Sequence, residues 1–213
     1  HMVEYLHYMD PLKRLQELFK RFPGIGERQA MRFAYFLATT EESYARNLTD
    51  AITAMRREVR RCLRCFALSE KVTDGKCPAC NNPEADRSMV LVIEKDADRD
   101  RFMKAHTYSG TYFVLGGLAP AIEKDASSHI RIDQLRALSE AEMDTGLKEV
   151  ILALSATPDG ERTEALLRNN LRMLAEKGLK ISVLGKGLST GTEIEYSDKE
   201  TLANALRSRT NFS

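Results

Sequence analysis

Four cysteines carry the most specific chemistry in this sequence. They stand as Cys62-Leu63-Arg64-Cys65 and Cys77-Pro78-Ala79-Cys80, two CxxC pairs separated by a short, turn-rich loop. Each pair forms a tight knuckle that aims two thiolates at one point, and four thiolates complete the tetrahedral shell of a zinc ion with no position left for water. The role expected of Cys62, Cys65, Cys77 and Cys80 is therefore structural. Two disulfides are disfavoured in the cytoplasmic chain expected here, and a thioredoxin-like redox site does not account for two pairs. Metal removal is expected to loosen this segment and destabilise the first third of the chain, because so short a loop has no core of its own.

A second set of residues suits phosphate. Phe22-Pro23-Gly24-Ile25-Gly26-Glu27-Arg28 reads as a hairpin between two helices. Gly24 and Gly26 let backbone approach an anion closely, and the helix that follows offers unpaired N–H groups at its positive end. Lys20, Arg21, Arg28 and Arg32 flank the turn, so the expected ligand is DNA backbone, gripped without reading bases. The alternative is an ordinary helical corner that uses glycine for a sharp bend. A further basic run, Arg56, Arg57, Arg60, Arg61 and Arg64, is opposed by Glu58 alone. On a continuing helix its last four arginines would share one face, either simply solvated or in contact with phosphate.

The third set is acidic. The strand Val90 to Ile93 runs into Glu94-Lys95-Asp96-Ala97-Asp98, and the strand Val150 to Leu154 is followed by Thr157-Pro158-Asp159-Gly160-Glu161. Ligands of open α/β sheets bind at the carboxyl ends of strands, so Glu94, Asp159 and Glu161 could together hold magnesium. The competing reading is a pair of solvated helix starts, where acids favour the first turn. An EF-hand is rejected, because the later loop positions lack the required Gly and Glu. Neither a P-loop nor a GxSxG elbow occurs, and His7, His106 and His129 have no ligand or triad spacing.

Helices and strands must position these groups. Asp10 and Pro11 open a helix with an apolar face of Leu12, Leu15, Leu18, Phe19 and Phe22; a second follows the glycines; a third is expected after a capping box from Thr39 to Glu42. Beyond the cysteines, apolar runs at 89–93, 111–115, 150–154 and 181–184 alternate with helical stretches, as in a mostly parallel α/β sheet. A single crossover helix is expected from Arg162 to Lys177, ended by Gly178. The organisation expected is α + α/β: a helical DNA-binding region over 2–61, a zinc module over 62–81, an α/β domain over 82–184 and a closing segment over 185–213.

Composition sets the outer bounds. Of 213 residues, 43% are hydrophobic and 30% charged, which fits a folded chain and excludes wholesale disorder. The 32 Lys and Arg nearly cancel 31 Asp and Glu, so nucleic acid must be met by local patches and not by a global field. No apolar run is long enough to span a bilayer, and a cytoplasmic location is expected.

Taken in order, the glycine hairpin, the double CxxC, the acidic-ended strand, Val114-Leu115-Gly116-Gly117 and Gly187-Leu188-Ser189-Thr190-Gly191-Thr192-Glu193-Ile194-Glu195-Tyr196 resemble the bacterial recombination-mediator family RecR over nearly the whole chain. The resemblance implies a helix-hairpin-helix, a four-cysteine zinc module, a Toprim domain and a C-terminal segment that completes a ring-shaped tetramer. It implies a non-catalytic DNA clamp and adaptor, acting at single-stranded gaps with RecO and RecF type partners to load a recombinase. Glu94, Asp96, Asp98, Asp159 and Glu161 would then face a basic protein partner. This chain departs from the family at Ser155–Thr163, where it keeps Glu161 but has Asp159 as the preceding acid, and at Thr192. The contrasting reading is a Toprim metal-dependent nuclease or strand-transfer enzyme, with Glu94 as general acid or base and Asp159 and Glu161 on magnesium.

Overall fold

The computed structural model describes residues 10–120 and 130–185, together with Lys199 and Thr201. The chain divides into two compact units, His1–Glu58 and Val59–Ser213. The described residues of the first form three helices: α1 (Pro11–Lys20), α2 (Glu27–Thr39) and α3 (Glu42–Glu58). Asp10 caps α1 by accepting the Leu12 N–H at 3.0 Å, with Pro11 in the first turn where a missing N–H costs nothing. The turn into α2 contains Gly24 at φ +74°, a left-handed conformation that favours glycine. Aromatic edges hold α1 to α2, with the Phe19 and Phe33 rings 5.7 Å apart.

The capping box expected from Thr39 to Glu42 does not form. Thr39 is the last residue of α2, and its hydroxyl donates back to the Tyr35 and Phe36 carbonyls at 3.0 and 3.3 Å. A second departure is the end of α3. The helix stops at Glu58, and Arg60–Arg61 form a short strand, β1, antiparallel to Leu68–Ser69, β2. The backbone after Arg61 is committed across the first cysteine knuckle, where the Cys62 N–H donates to Ala67 O at 2.8 Å. Those bonds are incompatible with a helical ladder, so Arg57, Arg60, Arg61 and Arg64 do not share a helical face.

The second unit is built on a parallel sheet in the order β4-β3-β5-β6: β3 (Asp86–Ile93), β4 (Gly110–Val114), β5 (Glu149–Ala153) and β6 (Lys180–Val183). Parallel neighbours need crossovers, supplied by α5 (Asp96–Ala105), α6 (Ile132–Met143), and the pair α7 (Pro158–Asn170) and α8 (Arg172–Glu176), while α4 (Pro78–Asn81) belongs to the second knuckle. The last crossover was expected as one helix from Arg162. It instead starts at Pro158, capped by Thr157, whose hydroxyl accepts the Gly160 N–H at 3.2 Å, and breaks at the fully buried Leu171.

Alternation along the strands gives the sheet two faces. Val90, Val92, Phe113, Val150 and Leu152 point into a cluster with Leu135 of α6, Leu167 of α7 and Leu174 of α8. Leu91, Ile93, Tyr112 and Val114 point the other way, into a cluster that contains all four cysteines and is lined by Phe102 of α5. The cysteine module is thus a layer of the second unit. It also closes the edge strand β4, because the Val114 N–H donates to Cys65 O at 2.8 Å. The destabilisation expected in the first third on metal loss therefore belongs to the sheet unit.

Candidate metal centre and nucleic-acid interface

The cysteine sulfurs all lie within 4.8 Å of one another, and all four residues are buried. Cys62 Sγ is 3.8 Å from Cys80 Sγ and Cys65 Sγ is 3.6 Å from Cys77 Sγ. Tetrahedral zinc with sulfur ligands at about 2.3 Å demands sulfur separations of about 3.8 Å. The donor set and its spacing therefore fit that ion. Hydrogen bonds from Cys65 and Cys80 hold the Cys77 sulfur far below the ordinary thiol range, while the bond to Cys77 drives Cys65 far above it. Four buried sulfurs cannot all ionise without a cation between them, and a dication resolves that conflict.

The spacing of Arg64, inside the first knuckle, predicts an exposed helical face, either solvated or in contact with phosphate. The side chain is buried instead. Its Nε and Nη2 donate to Glu142 of α6 at 2.7 and 2.6 Å, Nη2 also donates to Thr111 Oγ1 of β4 at 3.1 Å, and Nη1 lies 3.7 Å from Cys80 Sγ. Burial opposes the charge, but Glu142 outweighs it and holds the guanidinium above its ordinary value. Sequence spacing missed this network, although a cation inside a CxxC knuckle was a visible signal. Arg131 was also missed: its Nη1 donates to Val114 O at 2.9 Å and its guanidinium lies over the Phe66 ring. Burial and the neighbouring Arg61 lower its basicity.

In the helical unit, the glycine hairpin leaves the start of α2 open. Gly26 stands at the N-cap with no side chain over the first N–H groups, and a Cβ at Gly24 or Gly26 would meet nothing within 4 Å. Arg28 and Arg32 are exposed on the first turns of α2, Arg32 resting on Gln29 Oε1 at 3.4 Å. Arg21 is exposed at the end of α1, and Lys20 pairs with Glu17 at 2.9 Å.

Glu94 and Asp159, at the carboxyl ends of β3 and β5, are each engaged by a neighbouring side chain. Glu94 is almost buried, accepting from Ser155 Oγ at 3.1 Å and pairing with Lys95 Nζ at 2.7 Å. Asp159 pairs with Arg162 at 2.7 Å, and Glu161 follows it in the first turn of α7. Asp96 accepts the Leu68 N–H at 2.7 Å and so ties β2 to α5, while Asp98 accepts the Lys95 N–H at 2.9 Å at the start of α5. Among the described residues the four cysteines alone gather three or more potential ligands, so Glu94, Asp159 and Glu161 are not brought together as a magnesium site. Gly160 sets the spacing between α7 and the end of β5, since a Cβ there would lie 1.9 Å from Ser155 O. His106 ends α5 in a left-handed conformation; His7, His129 and the Gly187–Tyr196 run lie outside the described residues.

A glycine hairpin between helices and a four-cysteine layer on a parallel sheet define a two-part class of protein, a helix-hairpin-helix joined to a Toprim domain. The family descriptions agree in detail: "RecR, helix-hairpin-helix" matches residues 12–56, "Toprim domain" matches 88–185, and "RecR, C-terminal" matches 187–210. Proteins named "Recombination protein RecR" are similar over almost their full length. The one from Limosilactobacillus reuteri is 32% identical over 96% of this chain and 98% of its own. Those of Lactococcus lactis subsp. cremoris and Chloroflexus aggregans are 33% and 36% identical, covering 96% and 95% of this chain and 98% and 96% of their own. The chain belongs to the RecR family of recombination proteins. Among the described residues no helix is long and apolar enough to cross a membrane.

Proposed function

We propose that the protein is a non-catalytic DNA-binding clamp and adaptor for recombinational repair, carrying one structural zinc per chain. The observation that carries the DNA reading is the uncapped, sterically open start of α2 at Gly24 and Gly26, flanked by Arg28 and Arg32. Backbone N–H groups, the helix dipole and two cations on one short surface suit a phosphate and carry no base readout. Replacing Arg28 and Arg32 by Ala is expected to weaken DNA binding equally for all sequences, with the salt slope falling by roughly one unit per lost contact. Binding titrations across salt check it, and unchanged affinity and slope would remove the hairpin from the DNA surface.

The ring-shaped tetramer implied by the resemblance finds support in the helical unit. Its described residues bury only Ala30 and Ala34, while Phe36, Tyr44, Ile52 and Met55 stand exposed. A groove of about 640 Å³ between the helices, lined by Leu12, Leu15, Phe19, Leu37, Leu48 and Ile52, suits the apolar face of a second copy of this chain.

RecO and RecF type proteins are the partners in this reading, with Glu94, Asp96, Asp98, Asp159 and Glu161 as the acidic side of a charge-complementary interface. Neutralising Glu94→Gln and Asp96→Asn together is expected to slow partner association at low salt, while the amide oxygen at position 96 still accepts from Leu68. Stopped-flow association across ionic strength reads this; equal rates and equal salt dependence would exclude these acids. The nuclease reading makes the opposite claim, that magnesium-dependent cleavage of nicked, gapped or supercoiled DNA is abolished by Glu94→Gln.

A further inference from the structure

We propose that Arg64 is an outer-sphere ligand of the metal, a positioning residue that orients an N–H onto the Cys80 sulfur and so retains zinc. The proposal rests on the zinc reading of the cysteines and concerns a residue that coordinates nothing itself.

A zinc ion with four thiolates carries two net negative charges. Here it would sit in a cluster with Leu91, Ile93, Tyr112 and Val114, where uncompensated charge is costly. Arg64 Nη1 stands 3.7 Å from Cys80 Sγ and is placed to donate to it. The other side of the guanidinium is clamped: Nε and Nη2 make a fork to the Glu142 carboxylate, and Nη2 donates to Thr111 Oγ1. Thr111 Oγ1 in turn donates to Met89 O at 3.0 Å, which fixes its lone pairs toward Arg64.

Glu142 cancels the formal charge of Arg64, so the pair acts as an oriented dipole with its positive end at the sulfur. The bidentate fork fixes the plane of the guanidinium, which a lysine ammonium cannot reproduce. The logic is that of a carboxylate that orients a metal-bound histidine, with an arginine and a thiolate in its place. A hydrogen bond drains charge from the sulfur, which slows its protonation and its attack on electrophiles. The same side chain links the first knuckle to β4 and α6, so metal retention is coupled to an intact sheet.

The test uses the full-length, zinc-loaded protein and the variants Arg64→Met, Arg64→Lys, Glu142→Gln and the pair Arg64→Met with Glu142→Leu. Zinc transfer to a colorimetric chelator is timed, and alkylation of Cys80 is followed by mass spectrometry. All three single variants are expected to lose zinc about tenfold faster than wild type and to expose Cys80 to faster alkylation. The double variant removes the buried ion pair without leaving an orphan charge, so it regains folding stability. It should nevertheless keep the fast zinc loss. If the double variant, or Arg64→Lys, retains zinc as wild type does, Arg64 is only a structural ion-pair member and the proposal fails. Wild-type protein purified with no zinc would instead overturn the metal reading itself.

Discussion

Stripping the metal with a strong chelator is expected to unfold the cysteine layer and lower the melting midpoint by roughly 10–20 °C. Structural zinc in small modules contributes an apparent 10–16 kcal/mol, roughly, and loss of about 5 kcal/mol in a chain of this size shifts the midpoint by that amount. The damage should concentrate on one face of the sheet. Leu91, Ile93, Tyr112 and Val114 lose their cover, and the β4 edge loses the bond from Val114 to Cys65. Hydrogen exchange should therefore rise in β3 and β4 more than in β6. Cys77→Ser should reproduce the effect without chelator. Lowering pH acts in the same direction, because protons compete with zinc for thiolates and metal-linked stability is lost as pH falls. A folded protein with four titratable thiols, no zinc and an unchanged midpoint would refute the assignment.

Charging the apolar face of the helical unit should be equally drastic. Phe36 and Ile52 are 54% and 52% exposed, side chains that a monomer gains nothing by presenting to water. On the proposed assembly through this face, Phe36→Asp with Ile52→Asp is expected to give smaller species than wild type without changing zinc content. Central interface residues commonly contribute about 2–4 kcal/mol each, so the pair should weaken association by at least about three orders of magnitude. Apparent DNA affinity should drop as well, because one hairpin per particle loses the effective concentration that several share. Light scattering of wild type and variant decides this. A wild-type monomer, or a variant of undiminished mass, would show that the face has another use.

Sequence alone determined the features whose physics is local. Two CxxC knuckles need only their own four residues each to aim sulfurs inward, and the short spacing between them lets both pairs meet at one point. Gly24 at positive φ and the uncapped Gly26 are properties of a seven-residue turn. The four strands were legible because parallel strands buried on both faces are continuously apolar, as Met89 to Ile93 is.

Tertiary structure alone decided the fate of the charges. Arg64 keeps helical spacing with Arg57, Arg60 and Arg61, yet it is buried because a carboxylate 78 residues away meets it. Asp96 looks like a solvent-facing acid until β2, 28 residues upstream, brings the Leu68 N–H to it. Periodicity reports which face of an element is apolar and says nothing about which element comes to cover it. That the cysteine layer covers β3 and β4, and that Phe36 and Ile52 remain uncovered, are outcomes of chain topology. They follow from non-local packing, in which a polar group is buried only where a distant partner arrives to satisfy it.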